Sequence, residues 1–387
     1  MSLTRRAFLN VSGSGIAVAL VGCSRALDSS RTAASAAWET SITNLEKHIS
    51  DLMVDLRVPG VSVAIVRDAH VAWTKSFGVR DRATGVPVDD ETIFSAQSMS
   101  KPVFAYRVMK LCEQGVLDLD APLIKYTADI FVKNDSRLGE ITARRVLSHT
   151  SGLPNWRSKE DPLRINFPPG TKWSYSGEGY HYLQTVLTRL AGHTDESQCG
   201  EFEMDYRVCA TDYTEYMEAN LLRPFGMNSS GYVLTPEMAQ QAARPHDKEG
   251  EPLPRKKPST ALDVARYGSA GSLMTTATDY AKFLIEVMQP RPADDYRLNE
   301  SSRREMLKPH IEIPAPFKAS WALGWQIWHL DKGDVVAHGG DIDGWHSQSA
   351  FSPERKTGFV ILTNGDNGYS MIWNELLETL VGNFIFS

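Results

Sequence analysis

The sequence predicts an α/β fold of the α+β type, in which both ends of the chain build one antiparallel sheet. Residues 61–78, VSVAIVRDAHVAWTKSFG, consist of two β-rich runs around a short polar turn, and residues 346–364 repeat this pattern. Apolar residues at three- and four-residue steps predict a helix from Ile42 that ends at Pro59-Gly60 and a closing helix at 370–385. Helices therefore flank the predicted sheet.

The long middle of the chain is richer in helix and loop patterns, which predicts an inserted, mainly helical domain. We assign residues 38–90 and 320–387 to the sheet domain and residues 91–319 to the helical domain. An acidic insert lies near 195–218. A chain of 387 residues is long enough for such a composite core.

The composition is that of a globular protein, with 42% hydrophobic and 23% charged residues. A formal net charge of −6 provides no basic field for binding nucleic acid. We therefore expect no nucleic-acid partner. The oligomeric state does not follow from the sequence.

The first 23 residues, MSLTRRAFLNVSGSGIAVALVGC, have the pattern of a targeting signal. Two arginines precede an apolar run that is short and diluted by Gly and Ser, which resembles a twin-arginine export signal. The segment LVGC resembles a lipobox, which implies that Cys23 carries lipid and anchors an exported periplasmic or cell-surface lipoprotein to a membrane. Residues 24–37 are then a tether. The alternative is an uncleaved helix close to the membrane.

The other three cysteines indicate no metal site. Cys112 lies in an apolar helical pattern and is expected to be a buried, unreactive thiol. Cys199 and Cys209 flank GEFEMDYRV and would form a disulfide in an exported protein, although their spacing is also compatible with two free thiols. No cysteine and histidine set has zinc-ligand spacing and no HExxH occurs, so we expect neither metal nor cofactor.

The segment FSAQSMSKPV places Ser98 three residues before Lys101. Because proline is tolerated only near the start of a helix, Pro102 places both residues in a first helical turn, on one face. A lysine whose pKa is lowered by burial can take the proton of a serine hydroxyl. This spacing alone also fits an ordinary polar helix start with a solvated lysine.

Further segments decide between these interpretations. Tyr175 lies in the Pro/Gly-rich segment FPPGTKWSYSGEGYHYLQ, and His338 lies in VVAHGGDIDGW. In this order and spacing, with VLSHTSGLPNW before Tyr175 and GSAGSLMTTATDYAKFL between Tyr175 and His338, the chain resembles the serine β-lactamase and penicillin-binding-protein family. The resemblance is to its class C-like branch, with family VIII esterases and D-peptidases, and runs from about residue 40 to the end. It implies a β-lactamase/transpeptidase-like fold.

The resemblance also implies the role of each site residue. Ser98 would attack the acyl carbon, and Lys101 and Tyr175 would share proton transfer. The backbone N–H groups of Ser98 and Asp341 would form the oxyanion hole, beside Gly339 and Gly340 on the substrate-binding strand. His338 would replace a basic residue that in many members is lysine.

His149, in LSHTSG, is expected to be a structural histidine. Two departures from the family pattern concern the substrate. Gly177 stands where the family commonly has an asparagine that holds the amide of the substrate. Gly339 stands where a hydroxyl accompanies a substrate carboxylate, and Asp341 and Asp343 follow closely.

These departures favour a serine hydrolase that acts on a small ester or amide through an acyl-enzyme. The alternatives are a β-lactamase or a D-Ala-D-Ala carboxypeptidase or D-aminopeptidase, and a lipoprotein that keeps the fold only as a binding module. An α/β-hydrolase is excluded because the mature chain has no G-x-S-x-G segment.

Overall fold

The computed structural model describes residues 17–127, 132–157, 161–191, 200–202, 206–208, 210–254, 261–289, 291–292, 294–314 and 318–386. The chain divides into two compact units, one that ends at Asp51 and one from Leu52 to Ser387. The sheet strands and the helices between them belong to the same unit.

The strands are β1 (Gly60–Arg67), β2 (His70–Asp81), β3 (Val86–Pro87), β4 (Phe94–Ser95), β5 (Gly200–Phe202), β6 (Tyr206–Val208), β7 (Met274–Thr275), β8 (Ile311–Glu312), β9 (Ala319–Trp321), β10 (Gln326–Leu330), β11 (Gly333–Ile342), β12 (Trp345–Ser352) and β13 (Thr357–Thr363). Nine of them form one antiparallel sheet in the order β3-β2-β1-β13-β12-β11-β10-β9-β8. The two ends of the chain meet where β1 pairs with β13, with Val63 opposite Ile361. The predicted sheet from both chain ends is confirmed.

The helices are α1 (Ala17–Asp55), α2 (Ser100–Glu113), α3 (Ala143–Leu147), α4 (Gly177–Leu190), α5 (Ala210–Met217), α6 (Pro236–Gln241), α7 (Ala261–Gly271), α8 (Ala277–Met288), α9 (Glu300–Leu307), α10 (Gly368–Ser370) and α11 (Leu377–Leu380). Shorter 3₁₀ and π turns extend several of them. The closing helical segment, predicted at 370–385, begins with α10 and ends in a π turn, Val381–Ile385. α2 is buried along nearly its whole length, because apolar residues occur on every face of it.

The structure adds detail at two predicted boundaries, and the domain bounds themselves stay a prediction. Residues 24–37, predicted as a tether, are helical and belong to α1, which is consistent with their five alanines and their lack of Gly and Pro. The sheet resumes with the two-residue strand β8, before the predicted boundary at 320. So short an edge strand leaves no alternating pattern in the sequence, so the sequence does not indicate it.

None of the described helices combines the length and the apolar character that a membrane span requires. Cys199 and Cys209 lie outside the described residues, so their disulfide stays a prediction. Cys112 has a free thiol and is half-buried. Burial raises the pKa of this thiol to about 12, so it stays protonated at neutral pH, although it is less buried than the sequence pattern predicts.

Candidate active site

The predicted nucleophile, Ser98, lies in a tight turn at the start of a buried helix. One 3₁₀ turn, Gln97–Met99, runs directly into α2, so Ser98 lies at the helix N-terminus as Pro102 predicts. Gln97 has φ +48°, in the left-handed region that side chains other than glycine rarely adopt. Such a conformation persists only where the surroundings hold it.

Contacts on two sides hold this turn. The Ala96 N–H donates to the Leu273 carbonyl at 2.8 Å, and the Ser100 hydroxyl donates to the Gln97 carbonyl at 2.6 Å. On the other side, β11 approaches so closely that a Cβ at Gly340 would lie 2.2 Å from the Ala96 carbonyl oxygen. A residue with a side chain at position 340 would therefore push the strand away from the nucleophile.

Lys101 is buried beside Ser98, with 1% of its surface exposed. Its Nζ lies 3.2 Å from Ser98 Oγ and donates to the Ala270 carbonyl, on α7, at 2.7 Å. Among the described residues it forms no ion pair with a carboxylate. Burial lowers the pKa of Lys101 to about 7, so a large share of the side chain is a neutral amine at neutral pH and can accept a proton.

Tyr175 ends the loop before α4 and lies over the same lysine, with Lys101 Nζ 4.7 Å from its ring centroid. Burial raises the pKa of Tyr175 above its usual value near 10, an effect that the hydrogen bond with Ser98 partly opposes. The phenol is therefore protonated at neutral pH. Ser98, Lys101 and Tyr175, separated in sequence, meet as the family resemblance implies.

His338 lies on β11, beyond the part of that strand that pairs with β10, since the pairing ends at Ala337. Its Nδ1–H donates to the Gly339 carbonyl at 2.7 Å, which leaves Nε2 as an acceptor. This Nε2 is buried and has no partner among the described residues. Burial, with the charge of Lys101, lowers the pKa of His338 to about 3, so the ring is neutral at neutral pH.

Asp341 follows the glycine that contacts the nucleophile turn, so its backbone lies next to that turn. Its carboxylate is largely exposed and accepts a hydrogen bond from His346 Nδ1 at 2.9 Å. Burial is the main cause of the raised pKa of Tyr175, and the negative charge of Asp341 raises it further. The strand therefore brings a negative charge, but no lysine, to the substrate side.

Gly339 is a partner of Gln348 across the sheet. A Cβ at position 339 would lie 2.7 Å from Gln348 Oε1, a buried atom without a hydrogen-bond partner among the described residues. A threonine at 339 would therefore displace a buried glutamine before it offered a hydroxyl to a ligand. Asp343 is exposed.

His149 is fully buried against Tyr175, with ring centroids 4.2 Å apart. Its Nδ1 accepts the Ser176 N–H at 3.0 Å. Burial, with the charges of Lys101 and His338, lowers the pKa of His149 well below its usual value. The ring is thus a neutral platform that positions the tyrosine, in line with the structural role expected from the sequence.

Two further residues at this site were not indicated by any sequence pattern. Trp321, on the short strand β9, packs against Tyr175, His149 and His338, with ring centroids 5.7, 4.7 and 5.5 Å away. Ala270 contributes only its carbonyl. Every residue has a carbonyl and the chain has nine tryptophans, so neither could be identified without the fold.

The space beside Gly177, where the family commonly has an asparagine side chain, is filled. A Cβ at Gly177 would lie 2.3 Å from Trp156 Cζ2, so the indole covers the backbone at this point. The Gly177 N–H donates to Asn155 Oδ1 at 3.1 Å. A side-chain amide does lie here, but it comes from the loop before the tryptophan and its oxygen is already engaged.

Comparison with known proteins agrees with this geometry. The family model described as Beta-lactamase matches residues 45–376. The chain belongs to the beta-lactamase family, whose members are generally serine hydrolases.

One protein with a similar sequence and two similar solved structures show the extent of the likeness. The human protein named Putative beta-lactamase-like 1 is 27% identical over 372 residues, which cover 87% of this chain and 69% of the relative. A penicillin-binding protein homologue from Pyrococcus abyssi, described as octameric, superposes with a TM-score of 0.70 at 23% identity, covering 88% of this chain and 77% of that one. A structure from Pseudomonas syringae described as a Beta-Lactamase/D-Alanine Carboxypeptidase superposes with a TM-score of 0.69 at 17% identity, covering 84% of this chain and 94% of that one. At these identities the two structures establish the fold alone.

Proposed function

We propose that the protein is a serine hydrolase that cleaves a small ester or amide through an acyl-enzyme on Ser98. The observation that carries this proposal is the contact between Lys101 Nζ and Ser98 Oγ at 3.2 Å, in a buried setting where Lys101 has neutral hydrogen-bond partners. A buried lysine of lowered pKa is the kind of base that a serine nucleophile needs.

The reaction follows from the positions of these groups. Neutral Lys101 takes the hydroxyl proton of Ser98 while Oγ attacks the acyl carbon, and the N–H groups of Ser98 and Asp341 stabilise the resulting oxyanion. Tyr175, whose buried phenol is protonated at neutral pH, passes a proton to the leaving group. Water then attacks the acyl-enzyme by the same proton route in reverse, which releases the acid and restores the serine hydroxyl.

The charges around Ser98 favour an uncharged substrate. Neutral His338 provides no cation for a carboxylate, and the exposed carboxylate of Asp341 repels one. A small-molecule ester or amide is therefore the expected partner. The alternative, a β-lactamase or a D-peptidase, is supported by the description of the Pseudomonas syringae structure.

Two experiments test the proposal. A fluorophosphonate should label the wild-type protein at Ser98 and fail to label Ser98→Ala, whereas absence of labelling in both would favour a binding module without catalysis. A substrate panel of p-nitrophenyl esters, D-amino acid amides and a chromogenic cephalosporin then ranks the activities. Higher kcat/KM for the cephalosporin than for p-nitrophenyl butyrate would favour the alternative.

We further propose that the protein is exported and held at a membrane by lipid on Cys23. The support is the sequence alone, in which the twin-arginine pattern precedes the lipobox. Mass spectrometry of the native N-terminus should find a chain that begins at a lipidated Cys23. An unmodified cysteine within a chain that starts elsewhere would contradict this proposal.

A further inference from the structure

Two exposed aromatic side chains form a corner at the edge of the site. The rings of Trp156 and Tyr267 meet almost perpendicularly, at 76°, with centroids 5.0 Å apart. They are 38% and 39% exposed. The other strongly exposed aromatic side chains of the described residues, Tyr296 and Tyr369, contact neither of them.

The corner joins the two segments that place the catalytic groups. Trp156 covers the backbone of Gly177, two residues after Tyr175. Tyr267 precedes Ala270 by three residues on α7, which is about one helical turn before the carbonyl that holds Lys101 Nζ. The corner is therefore joined by short stretches of backbone to the residues that place Tyr175 and Lys101.

A buried ion cluster supports the corner from beneath. Glu178 is fully buried, and its Oε1 accepts from Arg266 Nη2 at 3.1 Å and lies 3.5 Å from Arg157 Nε. The guanidinium of Arg266 lies 5.6 Å from the Trp156 centroid and 5.4 Å from that of Tyr267. Cation–π contacts and a buried carboxylate thus fix both rings from one side and leave the outer surfaces exposed.

We propose that the Trp156–Tyr267 corner is a binding subsite for a flat, apolar group in the acyl part of the substrate, so that aromatic acyl groups are preferred over aliphatic ones. Perpendicular rings offer a planar ligand one face to stack on and one edge to meet. Gly177, beneath the indole, adds no polar side chain. This inference rests on the proposed function, because the acyl part is the group that stays attached to Ser98 in both steps.

Boronic acids test the subsite without depending on turnover. Boron accepts a lone pair of Ser98 Oγ, one B–O bond forms, and the hydroxyl proton passes to Lys101, so the substituent on boron occupies the place of the acyl group. We would compare the inhibition constants of 2-phenylethylboronic acid and n-butylboronic acid. The wild-type protein should bind the phenyl compound about tenfold better, from area and ring contacts together.

Variants separate ring contacts from a general effect of substitution. Trp156→Ala should reduce the phenyl-to-butyl preference about five- to tenfold, and Tyr267→Leu about threefold, whereas Tyr267→Phe should keep it because the ring remains. Trp156→Phe should lose only part of the preference, and it covers the case in which the alanine variant fails to fold. Tyr296→Ala, with 38% exposure at a site away from these contacts, is the matched control and should leave both constants unchanged.

The outcomes distinguish the subsite from the proposed function. If the wild-type protein binds both compounds through Ser98 and the folded Trp156 variants keep the full preference, the subsite is wrong and the hydrolase stands. If neither compound binds better to the wild type than to Ser98→Ala, the nucleophile is unreactive, and both proposals fall.

Discussion

The two ends of helix α2 carry two buried lysines in opposite electrostatic settings. Lys101, in the first turn, is 1% exposed and donates to a hydroxyl and a carbonyl. Lys110, in the last turn, is 3% exposed and lies 2.5 Å from a carboxylate oxygen of Glu113, with a further bond to the Arg297 carbonyl at 2.7 Å. The same residue type on the same helix thus has neutral partners at one end and a charged partner at the other.

The partners explain the difference between the two lysines. Burial lowers the pKa of Lys101 to about 7 because no carboxylate among the described residues compensates its charge. Burial alone would raise the pKa of Glu113, but hydrogen bonds, the first of them from Lys110, hold it below its usual value. The last turn therefore contains an ion pair, and the first turn contains a base.

The largest effect should come from the first turn. Ser98→Ala and Lys101→Met should each lower kcat by about four orders of magnitude, and the double variant should lose little more, because the two groups act as a unit. Steady-state kinetics on protein with a wild-type circular dichroism spectrum measures this. If Lys101→Met retains most of the activity, Lys101 is not the base in the mechanism.

The last turn should respond in stability instead. Lys110→Met leaves the partly buried carboxylate of Glu113 without its cation, so the free energy of unfolding should fall by about 2 kcal/mol. Urea denaturation measures the change, and the folded fraction should keep its kcat. A double variant, Lys110→Met with Glu113→Gln, should recover part of the stability. A loss of kcat comparable with that of Lys101→Met would show that the two ends are not separate in function.

A third prediction concerns the charge opposite Lys101. His338→Lys adds a cation on β11, so the ratio of kcat/KM for a carboxylate-bearing cephalosporin to that for p-nitrophenyl butyrate should rise. The expected change corresponds to about 1 to 3 kcal/mol in relative transition-state free energy. Position 339 stays glycine, because a side chain there meets Gln348. His338→Gln is the uncharged control. An unchanged ratio in the lysine variant would mean that the charge of β11 does not select the substrate.

The smallest expected effect is in the pH profile. Because Lys101 acts as a neutral amine, kcat/KM should rise about tenfold per pH unit below its pKa and level off above about 7. His338 is neutral over this range, so His338→Gln should leave the midpoint in place. His338→Lys should move the midpoint to lower pH, since a nearby cation disfavours the charged form of Lys101. A midpoint that follows His338 instead would identify the histidine as the titrating base.

The sequence by itself determined the elements in which spacing carries the information. Ser98 and Lys101 are three residues apart, and Pro102 fixes the helix start, so the contact between them follows from helix geometry. The two terminal hairpins follow from alternation and turn residues, and the family resemblance supplied Tyr175 and His338 because their segments keep a recognisable order. Composition was less informative for residues 24–37, whose small polar residues suggested a tether although they are helical.

Only the tertiary structure decided what surrounds these groups. The Ala270 carbonyl reaches Lys101 across 169 residues, and the indole of Trp156 fills the space left by Gly177. The stacking of His149 on Tyr175 and the burial of Glu178 between two arginines likewise depend on distant segments. Backbone carbonyls and aromatic rings occur throughout the chain and carry no local pattern, whereas the pKa of Lys101 depends on how completely the folded chain excludes water and carboxylates from it.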